Sequence, residues 1–300
     1  MSQSENHHHH EISGKGLVWS IVLNIFITLA ETIGGIFTGS MALISDAAHN
    51  FSDVLSLIIS LVANGLTKKS ATVKQTYGYK RSEIIAAFIN SATLIVLAVF
   101  ILTEAIPRFF KPVTISADWV IYLSLLGIVV NGFSALFIRK DADKSINIKS
   151  SYLHLFSDML TSIAVLIGGL SMKYLQWYWV DTVFSVTISF YLIYMSWSIF
   201  STSLRILMQF TPSGLSIQEI VAKVEVLEDI KNVHHVHVWQ INEHDIMFEA
   251  HVDVSRNMTI DEFELVNEKI SIILKQFDIQ HVTIQPEFTT DDNKQIIHLS

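Results

Sequence analysis

Cysteine is absent from this chain and charge is scarce. Because none of the 300 residues is cysteine, disulfide bonds and thiolate metal sites are both excluded, and any metal ion has to be bound by His, Asp or Glu. Charged residues make up only 16% of the chain, whereas half of it is hydrophobic. This composition is unusual for a soluble protein and ordinary for a polytopic membrane protein.

Acidic residues are concentrated in the last third of the chain. Residues 211–300 contain 16 Asp and Glu but only six Lys and Arg. The sign of this charge argues against nucleic acid as a partner and favours cations.

Six apolar stretches occupy the first two thirds of the chain. Each is close to the ~20 residues that cross the hydrocarbon core of a bilayer. They lie at 16–37, 41–66, 84–106, 117–138, 150–175 and 179–204. We therefore predict an α-helical polytopic membrane protein with a polar tail at 1–15 that contains His7–His10, six transmembrane helices within 16–206, and a cytoplasmic domain at 211–300.

The basic residues between these stretches predict the orientation of the protein. Eleven Lys and Arg fall in the connections on one side of the membrane and three on the other. Positive charge is enriched on the cytoplasmic side, so both termini are expected in the cytoplasm.

A five-residue motif, H-x-F-S-D, occurs twice inside these stretches, from His49 to Asp53 and from His154 to Asp158. Residues four apart share one helix face, so each copy presents an imidazole beside a carboxylate. Ionisable side chains deep in a membrane are costly and usually functional. Two such helices facing each other would supply two His and two Asp, a tetrahedral set that suits zinc.

The depths of the two carboxylates agree with the predicted orientation. Asp53 lies roughly 18 Å from the outer end of its helix and Asp158 roughly 12 Å from the inner end of its own, at 1.5 Å per residue. Because the two helices run in opposite directions and these depths sum to about 30 Å, the thickness of the hydrocarbon core, both carboxylates can lie at one level.

Asp46, one turn before His49, is expected to orient a ligand. The alternatives are that it is a ligand at the entrance of the site or an interfacial group. The other polar groups of the spans are expected to be packing or interfacial: Asn24, Glu31, Glu83 and Glu104.

The pattern changes after Thr211-Pro212 to that of a small α+β domain. Two capping boxes predict helix starts, one formed by Ser216 with Glu219 and one by Thr259 with Glu262. Alternating or apolar patterns predict strands at 233–241, 246–254 and 279–287. The order α-β-β-α-β indicates a three-stranded sheet with helices on one face.

Histidines are concentrated on these strands, among acidic neighbours. Because Zn²⁺ prefers imidazole and carboxylate ligands when thiolates are absent, we expect the domain to bind metal, without fixing which residues are ligands. The candidates are His234, His235, His237, His251, His281 and Glu287.

Taken together, these segments resemble the cation diffusion facilitator family, in particular its zinc-transporting branch, which includes bacterial cadmium, cobalt and zinc efflux proteins. The resemblance covers nearly the whole chain. The segments that carry it are Ser45-Asp46-Ala47-Ala48-His49 with Asp53, Tyr77-Gly78-Tyr79-Lys80-Arg81-Ser82-Glu83, His154 with Asp158, Val233 to Trp239, and Thr283-Ile284-Gln285-Pro286-Glu287.

This resemblance implies a homodimer in the plasma membrane of a bacterium, a metallochaperone-like cytoplasmic domain, and exchange of metal for protons. Carried over by position, the transport ligands are His49, Asp53, His154 and Asp158. The regulatory ligands are His234, His251, His281 and Glu287. Two positions depart from relatives: Gln75 stands where a loop histidine is common, and Gln209 where an acidic partner for a residue such as Arg81 is common.

We therefore predict a zinc/proton antiporter that exports zinc by alternating access, with cadmium or cobalt as alternative cargo, and not an enzyme. An intramembrane zinc hydrolase would need an open coordination position and a motif such as H-E-x-x-H, which the sequence lacks. A metal sensor without transport would explain the C-terminal domain but not four ligands buried in lipid.

Overall fold

A computed structural model describes residues 14–67, 69–111, 113–139, 146–291 and 293–297. The histidine run His7–His10 lies outside the described residues. The chain forms two compact units, which are described separately below. The first comprises the residues up to Ile58 together with Asn90–Ser198, and the second comprises Ile59–Ile89 with Ile199–Ser300.

Six long helices precede the C-terminal part of the chain, as the apolar stretches predict. They are α1 (Gly14–Thr38), α2 (Met41–Thr67), α3 (Ser82–Phe110), α4 (Ala117–Arg139), α5 (Ile146–Leu175) and α6 (Trp179–Leu207). Among the described residues, four segments are long and apolar enough to cross a membrane: Ser82–Phe110, Ala117–Leu136, Leu155–Leu175 and Trp179–Leu207. Within α1, the segment Val22–Thr38 is apolar but shorter than these four. The predicted helical membrane domain is therefore confirmed.

Helix α4 packs closely against α5 and α1 in the first unit. Gly127 of α4 makes this approach possible. A Cβ atom at this position would lie 2.6 Å from Oγ of Ser162 on α5 and 3.1 Å from Oε1 of Glu31 on α1. Small residues allow membrane helices to approach in this way, where packing rather than the hydrophobic effect drives association.

The start of α2 is fixed by two polar side chains. Ser40 accepts a hydrogen bond from the backbone N–H of Leu43 at 3.2 Å and donates its own proton to Asp181 of α6. Asp181 also accepts from the N–H groups of Met41 and Ala42, at 2.9 and 3.3 Å. These bonds satisfy amides that have no partner within the helix and hold its first turn against α6.

The second unit contains the predicted α-β-β-α-β order. Its elements are α7 (Ile217–Val224), β1 (Ile230–Gln240), β2 (Ile246–Val254), α8 (Ile260–Lys275) and β3 (Ile279–Glu287). The sheet order is β1-β2-β3, with β1 and β2 antiparallel and β2 and β3 parallel. At the start of α8 the capping box of Thr259 and Glu262 forms as predicted.

Helices α7 and α8 cover one face of this sheet. Phe248, Ala250 and Val252 of β2 are buried against apolar residues of both helices, such as Val221 and Ile270. Because side chains alternate along a strand, the intervening residues of β2 point to the opposite face. That opposite face carries the charged groups and histidines described below.

A short stretch of chain beyond β3, residues 293–297, lies beside β1, and we call it the tail segment. The N–H of His235 donates to the carbonyl of Gln295 at 3.2 Å, and that of Val236 donates to Ile296 at 2.8 Å. His235 has a φ of 51° at a point where the register of β1 shifts. This bulge turns two amides of β1 towards the tail segment.

Candidate metal centres

The first candidate site consists of His49, Asp53 and Asp158, which we call the helical cluster. One ligand atom from each residue lies within 4.8 Å of the others. Nε2 of His49 is 3.2 Å from Oδ1 of Asp158 and 3.9 Å from Oδ2 of Asp53. Bonds of about 2.0–2.2 Å hold the ligands of zinc at most roughly 4.4 Å apart, so small side-chain adjustments would bring these atoms around one ion.

The two helices that supply this cluster are widely separated in sequence. His49 and Asp53 lie one turn apart on α2, and Asp158 comes from α5. Asp158 is 1% exposed, whereas the side chains of His49 and Asp53 are 16% and 21% exposed. One wall of the site is therefore closed, while the α2 side remains partly accessible.

The fourth predicted transport ligand, His154, lies on α5 one turn before Asp158. Its side chain is outside the part of the chain whose side chains the structure describes. The structure thus brings together three of the four residues, and His154 stays a prediction.

Two further acidic side chains are buried near the helical cluster. Asp46 is 1% exposed and accepts a hydrogen bond from Oγ of Ser162 at 3.4 Å. Glu31 is fully buried and accepts from the amide of Asn50 at 2.8 Å. Asn50 follows His49 directly, so Glu31 steadies α2 beside the cluster. Nothing in the sequence pattern connects Glu31 with this position, because no periodicity links α1 to α2.

The other polar groups of the helices take different places. Asn24 is buried, as expected for a packing group. Glu83 and Glu104 are exposed on α3.

The second candidate site consists of His234, His251 and Glu287, which we call the sheet cluster. One ligand atom from each lies within 4.8 Å of the others. Nδ1 of His251 is 2.8 Å from one carboxylate oxygen of Glu287, and Nε2 of His234 is 3.4 Å from the other. His234 is fully buried and Glu287 is 7% exposed. Two imidazoles and a carboxylate at these distances suit zinc in their donor chemistry.

Strand register accounts for this cluster. His234 of β1 pairs directly with His251 of β2. Asp253, two residues further along β2, pairs with Glu287 of β3. Direct partners and residues two apart share one sheet face, so all four side chains lie on the face opposite the helices.

Asp253 and Lys294 complete this group, and the sequence reasoning missed both. Nζ of Lys294 lies 3.0 Å from Oδ1 of Asp253, 3.3 Å from Oε2 of Glu287 and 3.5 Å from Nε2 of His234. Asp253 shares its parity with His251, a signal that could have identified it. Lys294 lies beyond the last predicted strand, so no periodicity indicates its position.

The remaining predicted histidines are not members of the sheet cluster, although His235 contacts one of its residues. His281 is exposed on β3, with its ring centroid 6.4 Å from that of Tyr77. The ring of His235 stacks on that of His251 at 4.7 Å, and His237 lies 5.0 Å from His235. The structure therefore groups three of the four predicted cytoplasmic ligands and leaves His281 outside.

The loop between α2 and α3 reaches the C-terminal part of the chain through an ion pair within the second unit. Nζ of Lys80 lies 2.7 Å from Oδ2 of Asp245, which follows β1. The hydrogen bond from Lys80 lowers the pKa of the Asp245 carboxyl below its ordinary value. Gln75, in the same loop, donates to the hydroxyl of Tyr79 at 3.1 Å. The resemblance leads us to expect an ion pair between position 209 and a residue such as Arg81, but position 209 is glutamine. Here an ion pair forms between two other residues, Lys80 and Asp245.

Comparison with known proteins identifies both parts of the chain. Residues 17–208 match the family described as the cation efflux transmembrane domain. Residues 212–288 match the family described as the cation efflux protein, cytoplasmic domain.

Curated relatives match over most of their length. A "Cadmium, cobalt and zinc/H(+)-K(+) antiporter" of Bacillus subtilis is 35% identical, over 94% of this chain and 91% of the relative. "Metal cation efflux system protein CzcD" of Cupriavidus metallidurans is 32% identical, over 96% and 90%. "Zinc transporter ZitB" of Escherichia coli is 27% identical, over 96% and 91%. With both parts of the chain matched, the protein belongs to the cation efflux family, as the motifs predict, and is a multi-pass membrane transporter rather than an enzyme.

Proposed function

We propose that this protein exports zinc from the cytoplasm in exchange for protons, by alternating access, as a homodimer in the plasma membrane of a bacterium. All six helices would cross the bilayer within residues 16–206, with the tail at 1–15 and the domain at 211–300 both in the cytoplasm. Cadmium and cobalt are alternative cargo.

The helical cluster is the observation that carries this proposal. A divalent cation in a site of low polarity needs anionic ligands, and two carboxylates from α2 and α5 supply them beside the imidazole of His49. His154, one turn before Asp158, would complete a tetrahedral set. Because the ligands come from two helices, relative movement of α2 and α5 would open and close the site.

Proton exchange follows from the chemistry of imidazole. Zinc binds the neutral ring, so His49 and His154 would release protons when zinc enters and take them up when it leaves. The names of relatives support this proposal, since the Bacillus subtilis protein is named as an antiporter that pairs these metals with H⁺ and K⁺.

The sheet cluster is proposed as a regulatory zinc site. His234, His251 and Glu287 would be ligands, and His281 is left out of this set because it lies apart. The site is remote from the helical cluster in sequence, so metal there would act by favouring one conformation of the transporter or by stabilising the dimer. The family that residues 212–288 match takes its name from a dimer, which supports the homodimer.

Flux measurements on reconstituted protein test the proposal. Purified protein in liposomes, with zinc and pH dyes on opposite sides of the membrane, should move zinc in one direction and protons in the other. Reversing the pH gradient should reverse the zinc flux. Zinc movement that neither responds to the gradient nor moves protons would eliminate antiport, and zinc binding without movement would favour a sensor.

A further inference from the structure

The side-chain ammonium of Lys294 lies where a cation would sit in the sheet cluster. It contacts Asp253, Glu287 and His234 at 3.0 to 3.5 Å. Nε2 of His234 and Oε2 of Glu287 are among the atoms that could hold a metal there. The cluster is therefore arranged around a positive charge that the chain itself supplies.

We propose that Lys294 is a built-in competitor of zinc at the sheet cluster, and that zinc binding expels it and releases the tail segment from β1. This inference rests on the regulatory zinc site of the proposed function. It identifies Lys294 as the residue that controls the zinc affinity of that site. It also assigns Asp253 as a further zinc ligand, because the departing ammonium frees that carboxylate.

Electrostatics requires the competition. An ammonium and a divalent cation a few ångströms apart in a largely buried site repel each other strongly, since water screens them poorly there. Asp253 is 8% and Glu287 7% exposed. Without Lys294 these neighbouring carboxylates would also repel each other, so the ammonium stabilises the metal-free fold of the domain.

The backbone couples this charge to a movable segment. Lys294 immediately precedes Gln295 and Ile296, whose carbonyls accept the two hydrogen bonds from the bulge of β1. Ile296 is partly buried against the core of the domain. Within the described residues, these contacts hold the tail segment together with those of Lys294 to Asp253, Glu287 and His234, so expulsion of the ammonium would weaken its attachment. Zinc can shift this equilibrium because it binds only when the ammonium is absent.

Zinc affinity of the full-length protein tests the competition. An Asp158→Ala background removes an anionic ligand of the helical cluster, so that chelator-competition titrations report mainly the cytoplasmic site. Lys294→Gln should bind zinc about tenfold more tightly, because a repelling unit charge is lost. Lys275→Gln, at the exposed end of α8, changes the net charge equally and should leave the affinity unchanged. Lys294→Arg, which keeps the charge, should have nearly the same zinc affinity as the Asp158→Ala protein without a change at Lys294.

Hydrogen exchange of the parent protein tests the release without any change at Lys294. Zinc should accelerate exchange of the amides of His235 and Val236, which lose their acceptors. Equal affinities of the Lys294→Gln and Lys275→Gln variants would overturn the competition, and slower exchange at these amides with zinc would overturn the release. Absence of zinc binding in every variant would overturn the inference together with the regulatory site, whereas zinc flux by the unaltered protein would show that the transport proposal survives.

Discussion

Nε2 of His49 lies 3.2 Å from Oδ1 of Asp158, although 109 residues separate them in the chain. This contact joins the two copies of one motif across α2 and α5. Asp158 is almost fully buried, so its charge must be compensated by protein groups or by a bound cation rather than by water.

Asp158→Ala removes an anionic ligand from the helical cluster, and we expect zinc transport to fall at least about a hundredfold. Mutation of residues that merely orient a metal ligand already lowers metal affinity or activity 10–100-fold. Initial rates of zinc flux into proteoliposomes measure the effect. Asp118→Asn is the control, because Asp118 is an exposed carboxylate paired with Lys173. Flux in Asp158→Ala that matches this control would show that the site lies elsewhere.

His49→Asp replaces a nitrogen ligand with a carboxylate. Harder oxygen donors favour harder cations, so the variant should keep some zinc transport and gain iron or manganese relative to zinc. Competition between these metals in vesicles, at one pH, measures the preference. If an active variant keeps the order of the unaltered protein, His49 does not determine selectivity.

Lys80→Gln should lower stability only slightly and in a pH-dependent manner. The folded pKa of Asp245 is depressed, so its contribution is present above the unfolded value of about 3.9 and lost as pH falls through the folded value. Since both side chains are partly exposed, the pair contributes about 0.2–1 kcal/mol. Thermal unfolding at pH 7 should therefore separate Lys80→Gln from the exposed control Lys74→Gln.

At a pH below the folded value, or in high salt, that separation should disappear. A difference of the same size under all three conditions would mean that Lys80 stabilises the protein by contacts other than its charge.

Gly127→Ala should destabilise the helical part of the protein. Its Cβ would lie 2.6 Å from Oγ of Ser162, and crowding of this kind typically costs about 1–3 kcal/mol. Gly132→Ala, on the same helix, is the matched control, because its nearest neighbour is Sδ of Met159 at 3.4 Å. Melting temperatures in detergent compare the two, and equal values would show that α4 can shift away from α5 without cost.

Most of the helical cluster could be predicted because its information is local or repeated. The four-residue spacing places His49 beside Asp53, and recurrence of the motif identifies Asp158. The sequence pattern does not predict the positions of Asp46 and Glu31. Their roles depend on which helices pack together, and apolar helices carry little sequence information about their neighbours in a membrane.

The sheet cluster shows a different limit. Strand alternation predicts that His251 and Glu287 can point to one face, but the choice among six candidates depends on register, which is fixed only when the strands pair. The bulge at His235 then displaces the end of β1 from simple alternation. Lys294 comes from a segment without any periodic pattern, so its place among the acidic groups could only be seen in the structure.

The parallel pairing of β2 with β3 has a consequence for how the domain matures. Parallel neighbours need a crossover, here helix α8, so β3 can dock only after nearly the whole domain has been synthesised. Glu287 is the last residue of that strand. A chain still on the ribosome, or one shortened before β3, would therefore carry His234 and His251 without the carboxylate between them. The full set of ligands proposed for zinc at this position would be complete only in molecules whose β3 has docked.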